Sequence, residues 1–189
     1  MPTIVRKCIA WNEARYDQVY DRELACKLLI EETLELFATE NPIEKLDAIG
    51  DIIFVAIGVY WKLGLSIEQI EDLFATSDEL LKTIDMEKIY VNCDQVQSYL
   101  FDILPEDIDG AYPGIALATY CSFLVALGAL HGMGMQSCFY DVVMAICDSN
   151  DTKEVKGKTD PTIKANINKG SSFVPPTERL EEIYEAHHA

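Results

Sequence analysis

Basic residues are the first shortage in this 189-residue chain: 15 Lys and Arg stand against 32 Asp and Glu, a formal net charge of −17. Phosphate backbones are bound by basic surfaces and anionic bilayers by polybasic segments, so this balance excludes a nucleic-acid polymer and a membrane surface as partners. Histidine is scarcer still, with only His131, His187 and His188. That shortage removes Ser-His-Asp and Cys-His nucleophilic arrangements. It also removes the Glu-x-x-His pairs of a ferritin-like di-iron bundle. The six cysteines (Cys8, Cys26, Cys93, Cys121, Cys138, Cys147) form no CxxC and no zinc-type spacing. They read as free, mostly buried thiols of a reducing cytosol. There is no GxGxxG, no P-loop and no segment that reads as a strand. The opening MPTIVRKCIAWNEARYD is too polar for a secretory signal, and the expected location is the cytoplasm.

What is present is core-forming material. A hydrophobic content of 49% with 10% aromatics argues for a folded chain despite the charge. The length suits a single domain over residues 1–189. Helical periodicity runs nearly throughout. It predicts helices over residues 21–39, 44–63, 67–84, 95–104, 112–132 and 136–148, then an irregular tail with a last short helix near 177–186. Asn41-Pro42 breaks the first two apart, Gly64 ends the second, Ser66 caps the third with Gln69 as capping-box partner, and Pro105 stops the fourth. Residues 112–135 carry no Lys, Arg, Asp or Glu, a length sufficient to cross a bilayer. The stretch also contains Pro113, Thr119, Tyr120, Ser122 and His131 and lacks the flanking Lys or Arg that orient a span, so a buried core helix is expected.

The chain matches itself at an offset of 70 residues. DIIFVAIGVYWKLGL at 51–65 lies over CSFLVALGALHGMGM at 121–135, with Val55/Val125, Ala56/Ala126, Gly58/Gly128 and Gly64/Gly134 coincident. Further on, Ala75/Ala145 and Asp78/Asp148 coincide as well. This predicts two related helical units packed as a pseudo-dimer: unit one over 10–84, unit two over 88–150, and a tail over 151–189. Chance alignment of two apolar helices followed by glycine is the alternative.

Unit one holds an unusual set of acids. Glu31/Glu35 and Asp47/Asp51 are i,i+4 pairs, so each pair shares a helix face, and Glu32 lies beside the first. Apolar residues surround them: Leu24, Leu28 and Ala38 near Glu31 and Glu35, and Val55, Phe54 and Gly58 near Asp51. Unpaired carboxylates in apolar surroundings are costly, and Lys27 is the one nearby base on these helices. Protonation could neutralise them, but a divalent cation held between facing acidic helices is the better answer. An all-oxygen set without histidine selects Mg²⁺ or Mn²⁺. The other reading is an acidic solvent face.

The EExxE of Glu31-Glu32-Thr33-Leu34-Glu35, followed by Asp47-Ala48-Ile49-Gly50-Asp51, resembles the all-α nucleoside triphosphate pyrophosphohydrolases. Within them the chain looks like the MazG-like or phosphoribosyl-ATP-pyrophosphohydrolase-like members of phages and bacteria. Those carry an SNxxK element after the last bundle helix and a Lys- and Gly-containing tail ending in Pro-Pro. Here Ser149-Asn150-Asp151-Thr152-Lys153 and Asn168-Lys169-Gly170 through Pro175-Pro176 fit in the same order. The resemblance covers about 10–65 and 112–176. It departs where many members place Glu at Ala48, since this chain has Asp47 one residue earlier, and where relatives carry lysine near Asn166. The segment 65–111 looks inserted, as a fused second unit would make it. That unit has Cys121 in place of Asp51 and no EExxE, so one working site per pseudo-dimer is expected.

The resemblance implies an all-α, MazG-like bundle that hydrolyses a (d)NTP to (d)NMP and pyrophosphate, with a small nucleotide as partner. Glu31, Glu32, Glu35, Asp47 and Asp51 are the implied metal ligands, and Glu32 the implied base, with Glu31 next. Lysines should meet the phosphates: none lies between Lys88 and Lys153, and then Lys153, Lys156, Lys158, Lys164 and Lys169 gather in the tail. Lys153 and Lys169, placed by the motifs, are the expected phosphate contacts. Lys27 contacts phosphate or neutralises Glu31. Asn150 contacts base or sugar, or is an ordinary helix-end residue; Trp11 and Asn12 contact the base, or Trp11 is a core aromatic. A homodimer of pseudo-dimers, a role in dNTP metabolism and a host-cytoplasmic setting for a phage protein complete the expectations. The competing readings are a phosphoribosyl-ATP pyrophosphohydrolase and a non-catalytic helical scaffold, regulator or metal sensor.

Overall fold

Helix α3 (Pro42–Lys62) is apolar on nearly every side, with Leu46, Ile49, Ile52, Ile53, Ala56, Ile57 and Tyr60 all buried. A helix of that kind must be surrounded. In the computed structural model every other helix touches it: α1 (Pro2–Glu13), α2 (Arg22–Ala38), α4 (Ile67–Leu81), α5 (Tyr112–Gly132), α6 (Phe139–Asp151) and α7 (Thr177–His188). The structure describes residues 2–81, 112–155, 167–168 and 170–189. A 3₁₀ turn, Gln136–Cys138, leads into α6, and a two-residue antiparallel ladder pairs β1 (Glu154–Val155) with β2 (Ile167–Asn168). Among the described residues the other elements are all helices, as expected. The expected helix over 95–104, the start of unit two at 88, and Lys156, Lys158, Lys164 and Lys169 lie outside the described residues.

Local chemistry sets the helix ends. Asp21 caps α2, its side chain accepting from Leu24 N at 3.0 Å. The Asn41 side chain accepts from Ile43 N at 2.9 Å and Pro42 occupies the first turn, where its missing N–H costs nothing. Asn41-Pro42 therefore starts α3 as well as separating it from α2, and the helix begins two residues before the expected Glu44. Ser66 and Gln69 form the expected capping box: Gln69 N donates to Ser66 Oγ at 3.2 Å and Ser66 N to Gln69 Oε1 at 2.8 Å. Ser66→Ala removes half of it and is expected to lower stability by about 1 kcal/mol. That corresponds to a melting temperature roughly 2–4 °C lower by circular dichroism.

Two helices end in the same turn. Gly64 (φ 90°) and Gly134 (φ 72°) both take the left-handed conformation that glycine accommodates. After α3, Leu63, Gly64 and Leu65 donate to Val59, Trp61 and Tyr60 carbonyls. After α5, Met133, Gly134 and Met135 donate to Ala129, His131 and Leu130, the same pattern 70 residues on.

The core is one cluster drawn from all seven described helices. Tyr60, Phe74 and Phe123 meet edge-on across α3, α4 and α5, with centroids 6.3 and 4.2 Å apart, and Tyr60 Oη donates to Ala116 O at 3.0 Å. The span 114–132 of α5 is long and apolar enough to cross a bilayer. Here it is a bundle helix, with Tyr120, Phe123, Ala126, Leu127 and Leu130 buried in the shared core. Helix α1 precedes the first helix expected from the sequence. Its Ile4, Val5, Cys8, Ile9 and Trp11 are buried, and Lys7 pairs with Asp148 and, at 3.2 Å, Asp151 of α6. The five described cysteines are free, and Cys8 and Cys147 meet inside at 3.4 Å.

Candidate active site

Helices α2 and α3 form an antiparallel hairpin, and a cavity of about 320 Å³ runs along it, closed on one side by α1 and the connector that follows. From α2 it is lined by Leu24, Ala25, Leu28, Glu32 and Glu35, with Asp21 at the cap. From α3 come Asp47, Asp51, Phe54, Val55, Gly58, Val59 and Lys62. Trp11, Asn12, Tyr16 and Tyr20 supply the third wall, and Lys153 reaches in from the turn after α6.

The acids sit at one end. Asp51 is half-buried as a residue, and its carboxyl is pushed up to about 8. Burial is the largest cause, then repulsion from Glu32 and Asp47, with a smaller push from Glu35; Lys153 opposes them. The four acids thus share one electrostatic environment, and Lys153 acts within it. Among the described residues no three carboxylate, imidazole or thiol groups converge into a ready-made ligand set. The acids line the wall about one helical turn apart, as 32/35 and 47/51 spacings require.

Lys153 is held from both sides. Arg15 Nη2 donates to its carbonyl at 3.3 Å, and its Nζ lies 5.9 Å from the Phe173 ring. The two tail motifs meet here: Ser149 Oγ donates to Val174 O at 2.8 Å, and Val174 N donates to Thr152 Oγ1 at 2.9 Å. These bonds fasten the segment before Pro175-Pro176 onto the end of α6.

Aromatic rings begin one helical turn from Asp51, at Phe54, and continue through Trp11 to Tyr16 beside Lys62. Trp11 meets Phe54 edge-on at 5.1 Å and Tyr16 at 6.0 Å, and the Arg15 guanidinium covers the Trp11 ring at 4.3 Å. Trp11 Nε1 donates to Asn150 O at 2.8 Å. Asn12 Nδ2 donates to Cys8 O at 2.8 Å. A Cβ at Gly58 would stand 3.3 Å from the Asn12 amide, so the glycine lets that side chain lie against α3.

Of the residues singled out from the sequence, Glu32, Glu35, Asp47, Asp51, Trp11, Asn12 and Lys153 come together on this cavity. Glu31 is half-buried and Lys27 exposed, and neither is in its lining. Asn150 is buried and reaches the site through the backbone bond to Trp11 rather than from the wall. Sequence reasoning missed Tyr16, Tyr20, Asp21, Gly58 and Lys62. Gln18 Nε2 donates to Trp61 O at 2.7 Å and holds the connector across the end of α3. There the Lys62 ammonium lies 4.7 Å over the Tyr16 ring. Burial lowers its pKa from the usual lysine value, against an opposing pull from Asp21. The stripe Asp51, Val55, Gly58, Lys62 has helical spacing on the acid face, and that spacing was the available signal for Lys62. Comparison with protein-family profiles, with characterised proteins and with solved structures gave no match to this chain.

Proposed function

We propose that this protein is a metal-dependent nucleoside triphosphate pyrophosphohydrolase of the MazG-like, all-α kind, cleaving a (d)NTP to (d)NMP and pyrophosphate. The observation that carries the reading is one cavity in which four carboxylates and a lysine adjoin a run of aromatic rings, Phe54, Trp11 and Tyr16. A nucleotide has that polarity: a polyanion, then a flat apolar ring.

The donor set fits a hard divalent cation. It is all oxygen, and the repulsion that raises Asp51 is what bound positive charge relieves. Glu35, Asp47 and Asp51 are the residues that would hold it, with Glu32 alongside. When bound, Mg²⁺ or Mn²⁺ supplies Lewis-acid polarisation of the phosphate and charge neutralisation. The chain's own groups do the rest. Lys153 donates to phosphate oxygens, and Glu32, buried at the wall, takes the proton from the attacking water. Trp11, Phe54 and Tyr16 shield the ring of the substrate from solvent.

We read the chain further as two fused, related units with one working site. The repeated turn at Gly64 and Gly134 supports this. So do the α5 counterparts of Asp51, Val55 and Gly58, namely Cys121, Val125 and Gly128, which are exposed and bear no charge.

Pyrophosphate release from a panel of NTPs, dNTPs and phosphoribosyl-ATP with Mg²⁺ or Mn²⁺ tests the activity. Turnover of at least one nucleotide to its monophosphate is expected; no turnover of any of them sinks the enzyme reading.

A further inference from the structure

The end of the cavity away from the carboxylates is not plain apolar wall. Because α2 and α3 run antiparallel, Asp21 at the start of α2 and Lys62 at the end of α3 line the same end of the cavity, and the Asp21 carboxylate favours the charged Lys62 ammonium. Glu32 and Glu35 face Asp51 in the same way at the acid end. Eleven residues separate Asp51 from Lys62, about 16 Å along the helix at 1.5 Å per residue. A nucleoside triphosphate with its phosphates at Asp51 therefore brings the far edge of its base to Lys62. The ammonium lies over Tyr16, one of the rings lining the cavity, and makes no hydrogen bond or ion pair among the described residues. Its N–H groups are left for a ligand.

We propose that Lys62 is the base-reading residue of this site and that it selects bases carrying a ring carbonyl oxygen. The assignment rests on the nucleotide reading above. Lysine's ammonium has three donors and no acceptor, so it rewards an oxygen acceptor and penalises an amino group set against it. A site built around such a bond discriminates strongly against an analogue lacking the matching atom. Guanine, cytosine, uracil and thymine each have a ring carbonyl, and adenine has none. Asp21, whose carboxylate already caps α2, favours the charged form of the ammonium.

The test compares wild type, Lys62→Met and Lys62→Arg. Steady-state kinetics are run on dATP, dGTP, dCTP, dTTP and inorganic tripolyphosphate, with calorimetric binding of the four dNMPs in the absence of metal. In wild type, dAMP is expected to bind weakest and dATP to have the lowest kcat/KM, by about tenfold. Lys62→Met should raise KM for the carbonyl bases about tenfold, lower it or leave no increase for dATP, and level dNMP binding. Lys62→Arg should restore part of the preference. Unchanged KM and dNMP affinities in Lys62→Met overturn the proposal, and so does a wild-type preference for adenine. If wild type turns over nothing, the pyrophosphohydrolase reading fails, while the dNMP titrations still decide the role of Lys62.

Discussion

Asp51→Asn is expected to abolish nucleotide hydrolysis and at the same time to stabilise the metal-free protein at alkaline pH. Both effects have one cause. The Asp51 carboxyl is desolvated and surrounded by Glu32, Asp47 and Glu35, with only Lys153 opposing, and it keeps its proton to about pH 8. In the unfolded chain the same group ionises near pH 4. Between those values the folded state binds the extra proton, so its contribution is full below about pH 4 and is lost as pH rises through 8. Asparagine has the same shape and no charge to lose. The variant and wild type should therefore melt together at pH 3, below both values, and the variant should melt higher at pH 9, by about 1–3 kcal/mol after allowance for the group's partial exposure. That is roughly 2–4 °C per kcal/mol for a domain of this size. Adding Mg²⁺ or Mn²⁺ at pH 8 should raise the melting temperature of wild type and leave that of Asp51→Asn unmoved, since only a binder of the native state stabilises it. Hydrolysis should fall at least about 100-fold, the upper end of what changes around a metal's ligands cost. Wild-type turnover in the variant would remove Asp51 from the site.

Gly50→Ala is the second large effect, and it runs against helix propensity. In the interior of an exposed helix, alanine would gain up to about 1 kcal/mol over glycine. Here the new Cβ would stand 2.3 Å from Ile146 Cγ1, with Cδ1 and Cβ of the same side chain at 3.3 and 3.4 Å. Ile146 is buried, so α3 and α6 must move apart to admit one methyl group. Overpacking of this kind costs about 1–3 kcal/mol. Chemical denaturation should show the loss in the transition midpoint. Ile146→Ala alone should destabilise by about 2–5 kcal/mol, and the pair of substitutions should be less harmful than their sum. Additive losses would show that the two residues do not meet. Because Gly50 adjoins Asp51, the close approach of α6 also fixes the height at which the carboxyl enters the cavity.

Gly50 shows where the sequence stops being legible. Glycine between Ile49 and Asp51 reads as a neutral or weakening residue until α6 is known to lie against it. The acids of α2 make the same point. Apolar residues flank them on every side, and Ile30, Leu34 and Phe37 remain exposed in the structure while Ala25, Leu29 and Leu36 are buried. With no clean apolar stripe, a helical wheel gives Glu31, Glu32 and Glu35 equal standing. The packing of α3 against α2 turns Glu32 and Glu35 toward the cavity and leaves Glu31 outside its lining. Helix α1 is not among the helices expected from the sequence, although Ile4, Val5, Cys8, Ile9 and Trp11 follow helical spacing. Tyr16, Asp21 and Lys62 belong to three separate elements, and no local pattern links them.

The sequence by itself determined the helical class and most helix boundaries. Caps, first-turn proline and left-handed glycine act within a few residues, and Asp21, Asn41, Ser66, Gly64 and Gly134 behave in the chain as they read on paper. It also indicated that the acids of α2 and α3 need compensation, since carboxylates in apolar surroundings are costly; Trp11 and Lys153 joined them only through the resemblance. Tertiary structure alone decided which of those acids share a field, where the aromatic rings run along the cavity, and that Lys62 closes it. Those are questions of which helix faces which, and they are settled by packing between residues far apart in the chain, which no spacing within a single helix encodes.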